Sequence, residues 1–582
     1  MSNMIQAARE QITALTQAAY EKAAAAGQLP AGLALQGRVE IPKDVRNGDY
    51  ASSYAMAGAK AFRKAPKVIA QILMDNMDLE GSWFSSVEIA GPGFMNFRLG
   101  SRWYGGVLTA IEEQGPLYGG SSEGAGKRVM VEFVSANPTG PMHMGNARGG
   151  VLGDTLANVL TRDGYDVWKE FYVNDAGNQI HKFAVSIDAR YRQLIEGEEN
   201  VPFPEEGYHG DDIRELAQAI YAQAGDSWKD LPEDERLDRM ADFGLKVNIP
   251  NMKRDLQRYG IEYDQWFYES SLHESGYVAE TAAKLTAAGR TYEKDGALWL
   301  RTSQLLREKY LAEGKTPAQV EKLDLKDDVL RRANGFYTYF AADIAYHRNK
   351  LEVRGFDTVV NVWGADHHGH VARLQAALDG LGLDGSHRVV VVLMQLVNLL
   401  QDGKPVRMSK RSGKAIALHD LLDEISVDAA RYFFNSRVST SPLDFDLDLA
   451  VRQDSENPVY YVQYAHARIC SLVRNLAEDG AAVRPAAEVD FSLLTDEAEL
   501  ALIKSLSRYP EEVHLAARDH DPSRINRYLS ELAGYFHHFY NACRIRGEEA
   551  ELLAARLKLA DTTRAVLKNG LELLGVTAPE HM

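Results

Sequence analysis

Apolar positions recur at helical spacing through the opening residues and again from Ala51 to Met74, which predicts two helices. Val87 to Phe97 is strand-like but is interrupted by Ala90-Gly91-Pro92-Gly93. Residues 1–118 therefore read as an α/β unit, and Gly119-Gly120-Ser121-Ser122-Glu123-Gly124-Ala125-Gly126 as a linker after it. From Lys127, an apolar strand candidate, Val129 to Val134, runs through a loop into a helix beginning near Asn146, the order of a nucleotide-binding α/β unit. The stretch from Gln179 to Asp328 is charged and largely helical in pattern, and strand-like runs return at Val359 to Trp363 and Val389 to Leu393. Residues 127–425 thus read as one nucleotide-binding domain carrying insertions. After Asp428 the pattern is almost purely helical, so 426–582 reads as a separate bundle. No internal repeat of about 20 to 50 residues is present.

Composition narrows the class. A length of 582 residues exceeds one ordinary core, and at roughly 100 to 200 residues per domain it calls for three or four. The chain is 45% hydrophobic and 25% charged, an ordinary globular balance. No apolar run reaches the length needed to span a bilayer, and Arg9 and Glu10 interrupt the place where a signal peptide would be apolar, so neither a membrane span nor export is expected. Two cysteines, Cys470 and Cys543, argue against a disulfide framework or a multi-thiolate zinc site and suit a reducing compartment, so a cytoplasmic location is expected. A net charge of -17 excludes a protein that coats polyanions over its whole surface; any nucleic-acid contact must use local basic patches.

Two segments concentrate the chemistry. In Val131 to Asn146, a strand ends in a Pro/Gly loop, and His143 and Gly145 open a helix whose free N–H groups and positive dipole end suit phosphates. Gly145 lets a flat nucleotide ring approach the backbone, and His143 is of the right type to donate to a phosphate oxygen as charge develops. Taken alone, a single histidine in a turn is more often only that. In Lys404 to Lys414, five cations fall in eleven residues with no acid, on a loop loosened by Ser412-Gly413. Such a loop can close over a triphosphate, although a solvated basic surface or a general RNA patch gives the same pattern. Tyr339 and Asp343 share one face if their segment is helical, which by itself marks an ordinary helix-face pair. Asp366, His367, His368 and His370 are of metal-ligand type. No P-loop motif occurs.

His143-Met144-Gly145-Asn146 resembles the HIGH signature of class I aminoacyl-tRNA synthetases, and Arg407-Met408-Ser409-Lys410 resembles their KMSK signature, in the expected order. The wider contexts resemble the arginyl-tRNA synthetase family: Glu132 to Gly150, Trp363 to His370, Met408 to Lys414, and Asp428-Ala429-Ala430-Arg431-Tyr432-Phe433. Gly48-Asp49-Tyr50-Ala51 and Ala90 to Phe94 are similar to that family's N-terminal domain, and Leu573-Leu574-Gly575-Val576 to its C-terminal end. The resemblance implies a Rossmann-like class I catalytic domain with insertions at 127–425, an α/β N-terminal domain at 1–118 contacting tRNA, and an all-α anticodon-binding bundle at 426–582. It implies an arginine–tRNA ligase that forms arginyl-adenylate from L-arginine and ATP, then charges tRNA(Arg), with AMP and pyrophosphate as products.

By the same resemblance His143, Asn146 and Lys410 are catalytic. ATP is held by His143, Gly145, Asn146, Gly364, Asp366, His367, Met408, Ser409 and Lys410, and arginine by Glu132, Asn137, Tyr339 and Asp343. Glu132 and Asn137 take the ammonium side, Asp343 pairs with the guanidinium, and Tyr339 packs beside it. Mg²⁺ arrives with ATP, no metal is held by the protein itself, and a monomer is expected. A guanidinium asks for acids in its pocket, and Glu132 with Asp343 argues for a cationic substrate. A class I synthetase for another amino acid and a silent tRNA-binding paralogue are the competing readings. Asn146 stands where the signature usually has its second histidine, and Arg407 where its first lysine would be. Asn146 still donates a hydrogen bond and Arg407 keeps the charge, so altered phosphate contacts without loss of activity are expected.

Overall fold

The computed structural model describes residues 3–406 and 416–582. The first part is built on a four-stranded antiparallel sheet in the order Val39–Glu40, Tyr50–Ser52, Phe94–Leu99, Phe84–Ala90, packed against helices Met4–Ala25, Pro66–Asp75 and Ser101–Gln114. The interrupted strand is a hairpin whose register pairs Ala90 with Phe94. The continuous helix expected from Ala51 to Met74 does not form. Tyr50–Ser52 is an edge-to-edge partner of Phe94–Leu99, two single turns follow, and Arg63 turns left-handed at φ 54. Pro66 then forces Ala65 into extended backbone, where the final helix starts afresh.

The second part is organised by a five-stranded, wholly parallel sheet. Its pieces are, in chain order, β1 (Arg128–Glu132), α1 (Met144–Arg162), β2 (Asp166–Val173), β3 (Gln265–Tyr268), α2 (Tyr339–Arg348), β4 (Thr358–Gly364), α3 (His368–Gly380) and β5 (Val389–Met394). Val129-Met130-Val131 and Val389 to Leu393 are near-continuous apolar runs because helices cover both faces. The strand order is β5-β4-β1-β2-β3, so the winding reverses between β1 and β4. In open sheets of this kind such a reversal marks the ligand crevice, outside the carboxyl ends of these two strands. At Gly153 of α1, an added Cβ would lie 2.1 Å from Phe133 Cγ, and this glycine lets α1 lie close on the end of β1.

Two insertions interrupt the sheet. Between β2 and β3, helices Asn178–Glu196, Asp211–Ala224 and Glu233–Arg258 enclose a small core of their own, including Phe183, Ile187, Tyr191 and Ile220. Between β3 and α2, strands Thr291–Lys294, Ala297–Leu300 and Asp328–Arg331 form an antiparallel sheet.

After β5 a third small sheet departs from the helical expectation beyond Asp428. Leu443–Asp446 is a strand, parallel to Val397–Gln401, whose other edge carries Lys404–Val406. Leu443 and Phe445 face inward while Asp444 is exposed, the period-two alternation of a strand in a segment too short to stand out among helices. Five helices, Pro458–Glu478, Glu497–Ser507, Tyr509–Arg518, Ser523–Ala542 and Ala550–Leu573, complete the chain. The glycine run after residue 118 is a fitted passage and not a loose tether: a Cβ on Gly119 would meet Tyr509 at 2.4 Å, and one on Gly124 would meet Tyr165 at 2.4 Å.

Candidate active site

His143, Gly145 and Asn146 follow the carboxyl end of β1, and Gly364, Asp366 and His367 stand at that of β4, on the two sides of the crevice. On one side β1 ends at Glu132, and Phe133 to Met142 lead to His143, the N-cap of α1. His143 Nδ1 accepts the Gly145 N–H at 3.1 Å, and Asn146 Oδ1 accepts the His143 N–H at 3.0 Å, a reciprocal cap. Because Nδ1 is an acceptor, the neutral ring carries its proton on Nε2, and surrounding protein pushes the His143 pKa down, which favours that neutral form. Asn146 thus spends its carbonyl on the cap and keeps its amide N–H groups as donors. A Cβ on Gly145 would meet His143 Cε1 at 3.0 Å, so in this structure the close neighbour requiring a glycine is the imidazole itself.

On the other side β4 ends at Gly364. Asp366 and His367 follow it on an exposed turn, with His367 Nε2 3.6 Å from Asp366 Oδ2. Asn137 is exposed in the loop after β1. Arg407, Met408, Ser409 and Lys410, with the rest of 407–415, lie outside the described residues. Of the flanking residues, Val406 pairs with Leu399, and beyond the segment Ala417 bridges His143 while Leu418 N–H donates to Met142 O at 2.8 Å.

Below the crevice lies a cluster of buried charge. Glu132 is 5% exposed; its Oε2 is 2.5 Å from Lys350 Nζ, and its Oε1 accepts the Ser135 hydroxyl at 2.9 Å. Lys350 is wholly enclosed, with its ammonium 3.9 Å from the Tyr346 ring centre and 3.3 Å from Asn361 Oδ1. Burial lowers its pKa, and the neighbouring Glu132 opposes that shift. Val134 and Ser135 both have positive φ, 67 and 43, so the chain leaves β1 through a strained left-handed turn, and for a β-branched valine this is uncommon. The Ser135 hydroxyl secures the turn, giving its proton to Glu132 and accepting the Tyr172 N–H at 3.2 Å.

Asp343, on the first turns of α2, is 6% exposed and accepts from His370 Nε2 at 2.6 Å. Tyr339, one turn earlier, is half exposed at the rim, its ring 5.8 Å from that of His370. Burial and the adjacent Asp343 raise its hydroxyl pKa. Glu269, one residue beyond β3, accepts the Tyr172 hydroxyl at 2.8 Å, and burial raises its pKa, with Asp343 contributing in the same direction. Burial first, and then Glu269, Asp343 and Glu132, push the Tyr172 hydroxyl pKa upward, Glu269 being the one in direct contact. Glu269, Ser135 and Lys350 were not singled out from the sequence. For Glu269 a signal existed, an acid immediately after an apolar strand; Ser135 and Lys350 gain meaning only through long-range contacts.

Among the described residues, no group of three or more His, Cys, Asp or Glu is arranged to hold a metal ion, and no helix is long and apolar enough to cross a membrane. Residues 9–99 match the arginyl tRNA synthetase N terminal domain, residues 108–440 the catalytic domain of tRNA synthetases class I (R), and residues 462–582 the DALR anticodon binding domain. The arginine–tRNA ligase of Acetivibrio thermocellus is 48% identical over 582 residues, and that of Ruminiclostridium cellulolyticum 50% identical over 582 residues, each covering 100% of both chains. The solved structure of Thermus thermophilus arginyl-tRNA synthetase covers 99% of this chain and 100% of its own with a TM-score of 0.70; at 23% identity this is a likeness of fold. A nucleotide-type crevice floored by acids, family matches from residue 9 to residue 582 and about half identity over the full length make this chain a member of the arginyl-tRNA synthetase family.

Proposed function

We propose that the crevice joins arginine to ATP and then to tRNA. The arginine carboxylate attacks the α-phosphorus, the bond to pyrophosphate breaks, and arginyl-adenylate forms; a ribose hydroxyl at the 3′ end of tRNA(Arg) then attacks the adenylate carbonyl and AMP leaves. The observation carrying this reading is the convergence of a helix N-terminus and a set of buried carboxylates at one topological switch point, which suits a polyanion and a guanidinium side by side.

In this reading ATP lies over His143, Gly145 and Asn146 on one wall and Gly364, Asp366 and His367 on the other. The Nε2–H of His143 and the amide of Asn146 donate to phosphate oxygens as charge develops. Lys410, with Met408 and Ser409, acts from the segment whose far flank bridges His143, and neutralises the charge passing to pyrophosphate. Mg²⁺ travels with the triphosphate. Asp343 and Glu269 take the guanidinium with Tyr339 beside it, while Asn137 takes the ammonium side. Glu132 is already neutralised by Lys350, so its share in arginine binding is to hold Ser135 and the strained turn. The three domains are assigned to 1–118, 127–425 and 426–582, the last reading the anticodon; a monomer in the cytoplasm completes the proposal.

The test is aminoacylation of tRNA with labelled arginine, with lysine as control. The wild type charges arginine alone. Asp343→Asn raises the KM for arginine about tenfold to a hundredfold, the worth of one charge-assisted contact, and leaves the KM for ATP in place. Equal charging with lysine, or an Asp343→Asn enzyme with unchanged KM for arginine, would overturn the assignment.

A further inference from the structure

Six lysines and arginines are buried among the described residues: Arg148, Arg236, Arg348, Lys350, Arg431 and Lys558. Five have a carboxylate partner: Asp188, Glu280, Glu132, Asp154 and Glu112 serve Arg236, Arg348, Lys350, Arg431 and Lys558 respectively. Arg148 has none among the described residues. Its Nη1 donates to Gln395 O at 2.8 Å and its Nη2 to Val438 O at 3.1 Å, while Nε is buried without an acceptor. Residues 407–415 contain no acid, so they add no carboxylate either. A buried charge without a counter-charge is costly, and proteins keep such charges where an anion is to come.

The position of Arg148 says which anion. It is the fifth residue of α1, whose N-cap is His143, and Gln395 directly follows β5, so the guanidinium lies within α1's first turns at the carboxyl edge of the parallel sheet. The same two carbonyls flank the small sheet: Gln395 precedes Val397–Gln401, and Val438 precedes Leu443–Asp446. The third strand of that sheet, Lys404–Val406, leads into residues 407–415.

We infer that Arg148 is a positioning residue of the nucleotide site, fixing the His143 helix against the small sheet whose third strand is Lys404–Val406 and lending the triphosphate an uncompensated positive charge. The inference rests on the reading of the crevice as the ATP site. Loss of hydration lowers the Arg148 pKa to about 10, which leaves it charged at neutral pH. Its effect therefore grows with the number of phosphates on the ligand, which a purely structural role would not produce.

The experiment is calorimetric titration of the full-length protein with adenosine, AMP, ADP and ATP, the last two with Mg²⁺. Arg148→Gln keeps an amide donor for one carbonyl and removes the charge. It is expected to lose about tenfold or more in affinity for ATP, less for ADP and AMP, and under about twofold for adenosine. Loss of equal size for all four ligands, or unchanged ATP affinity, overturns the inference. If Arg148→Gln does not fold, Arg148→Lys answers instead: with the charge kept, its ATP-to-adenosine affinity ratio stays within about threefold of wild type, and a larger fall overturns the inference. His143→Ala is titrated alongside. Weak ATP binding in His143→Ala with no grading at Arg148 rejects this inference alone, whereas unchanged ATP binding in both rejects the ATP site itself.

Discussion

His347 shows how far one residue's chemistry depends on its enclosure. Its Nδ1–H donates to Asp343 O at 2.9 Å and its Nε2 accepts from Asn361 Nδ2 at 2.9 Å, so both nitrogens are used in the neutral state. Burial, reinforced by Lys350, pushes its pKa down to about 3. In the unfolded chain the same group titrates near 6.5, so between these values the unfolded state binds more protons than the folded one. Stability is therefore present above about pH 6.5 and lost as the pH falls toward 3, by about 2 kcal/mol between pH 7 and pH 5. His347→Gln preserves one donor and one acceptor and removes the titration. Its unfolding midpoint in urea is expected to drop less than that of the wild type between pH 7 and pH 5; parallel drops would show that His347 does not titrate in this way.

At the scale of elements, the junction of β1 with α1 sets the crevice. Gly153 has no room for a methyl group against Phe133, so Gly153→Ala must displace α1, at a cost of about 3 kcal/mol, the upper range for overpacking. A lowered thermal midpoint with a raised KM for ATP is the expected pair of results, and an unchanged midpoint would show that the close approach is dispensable. The strands β1, β4 and β5 were legible in the sequence because strands buried on both faces are continuous apolar runs. β2 was less legible: it carries Lys169 and Glu170 in its middle, and Glu170 is buried only because Arg354 and Tyr346 meet its carboxylate. The helix expected from Ala51 to Met74 failed because helical spacing of apolar residues outweighed the break at Ala65-Pro66. Of the residues around the crevice, His143, Gly145, Asn146, Tyr339 and Asp343 were named from the sequence by the motifs they stand in. The Glu132–Lys350 pair was not, because its members are 218 positions apart and nothing local marks them as partners.

Across the whole molecule, Arg431 ties three distant pieces together. Its guanidinium donates to Asp154 Oδ2 on α1 at 2.5 Å, to Tyr259 O at 3.1 Å and to Leu574 O at 2.9 Å, all out of solvent. Gly575 lies against it with φ +64, and a Cβ there would sit 2.3 Å from Arg431 Nη2. The two sequence segments around Arg431 and Leu573 to Val576 are thus the two halves of one joint between the helix bearing His143 and the C-terminal bundle. Gly575→Ala, strained in backbone and clashing with a buried ion pair, is expected to cost about 3 to 5 kcal/mol and to lower the thermal midpoint; an unchanged midpoint would mean that the joint is not under this constraint. Activation of arginine with ATP in the crevice is read out by exchange of labelled pyrophosphate into ATP, run with tRNA(Arg) present and with arginine or lysine as the amino acid. Exchange that requires arginine, is absent with lysine and is lost in Lys410→Ala is the predicted result; a folded, tRNA-binding protein that gives no exchange with arginine would contradict it.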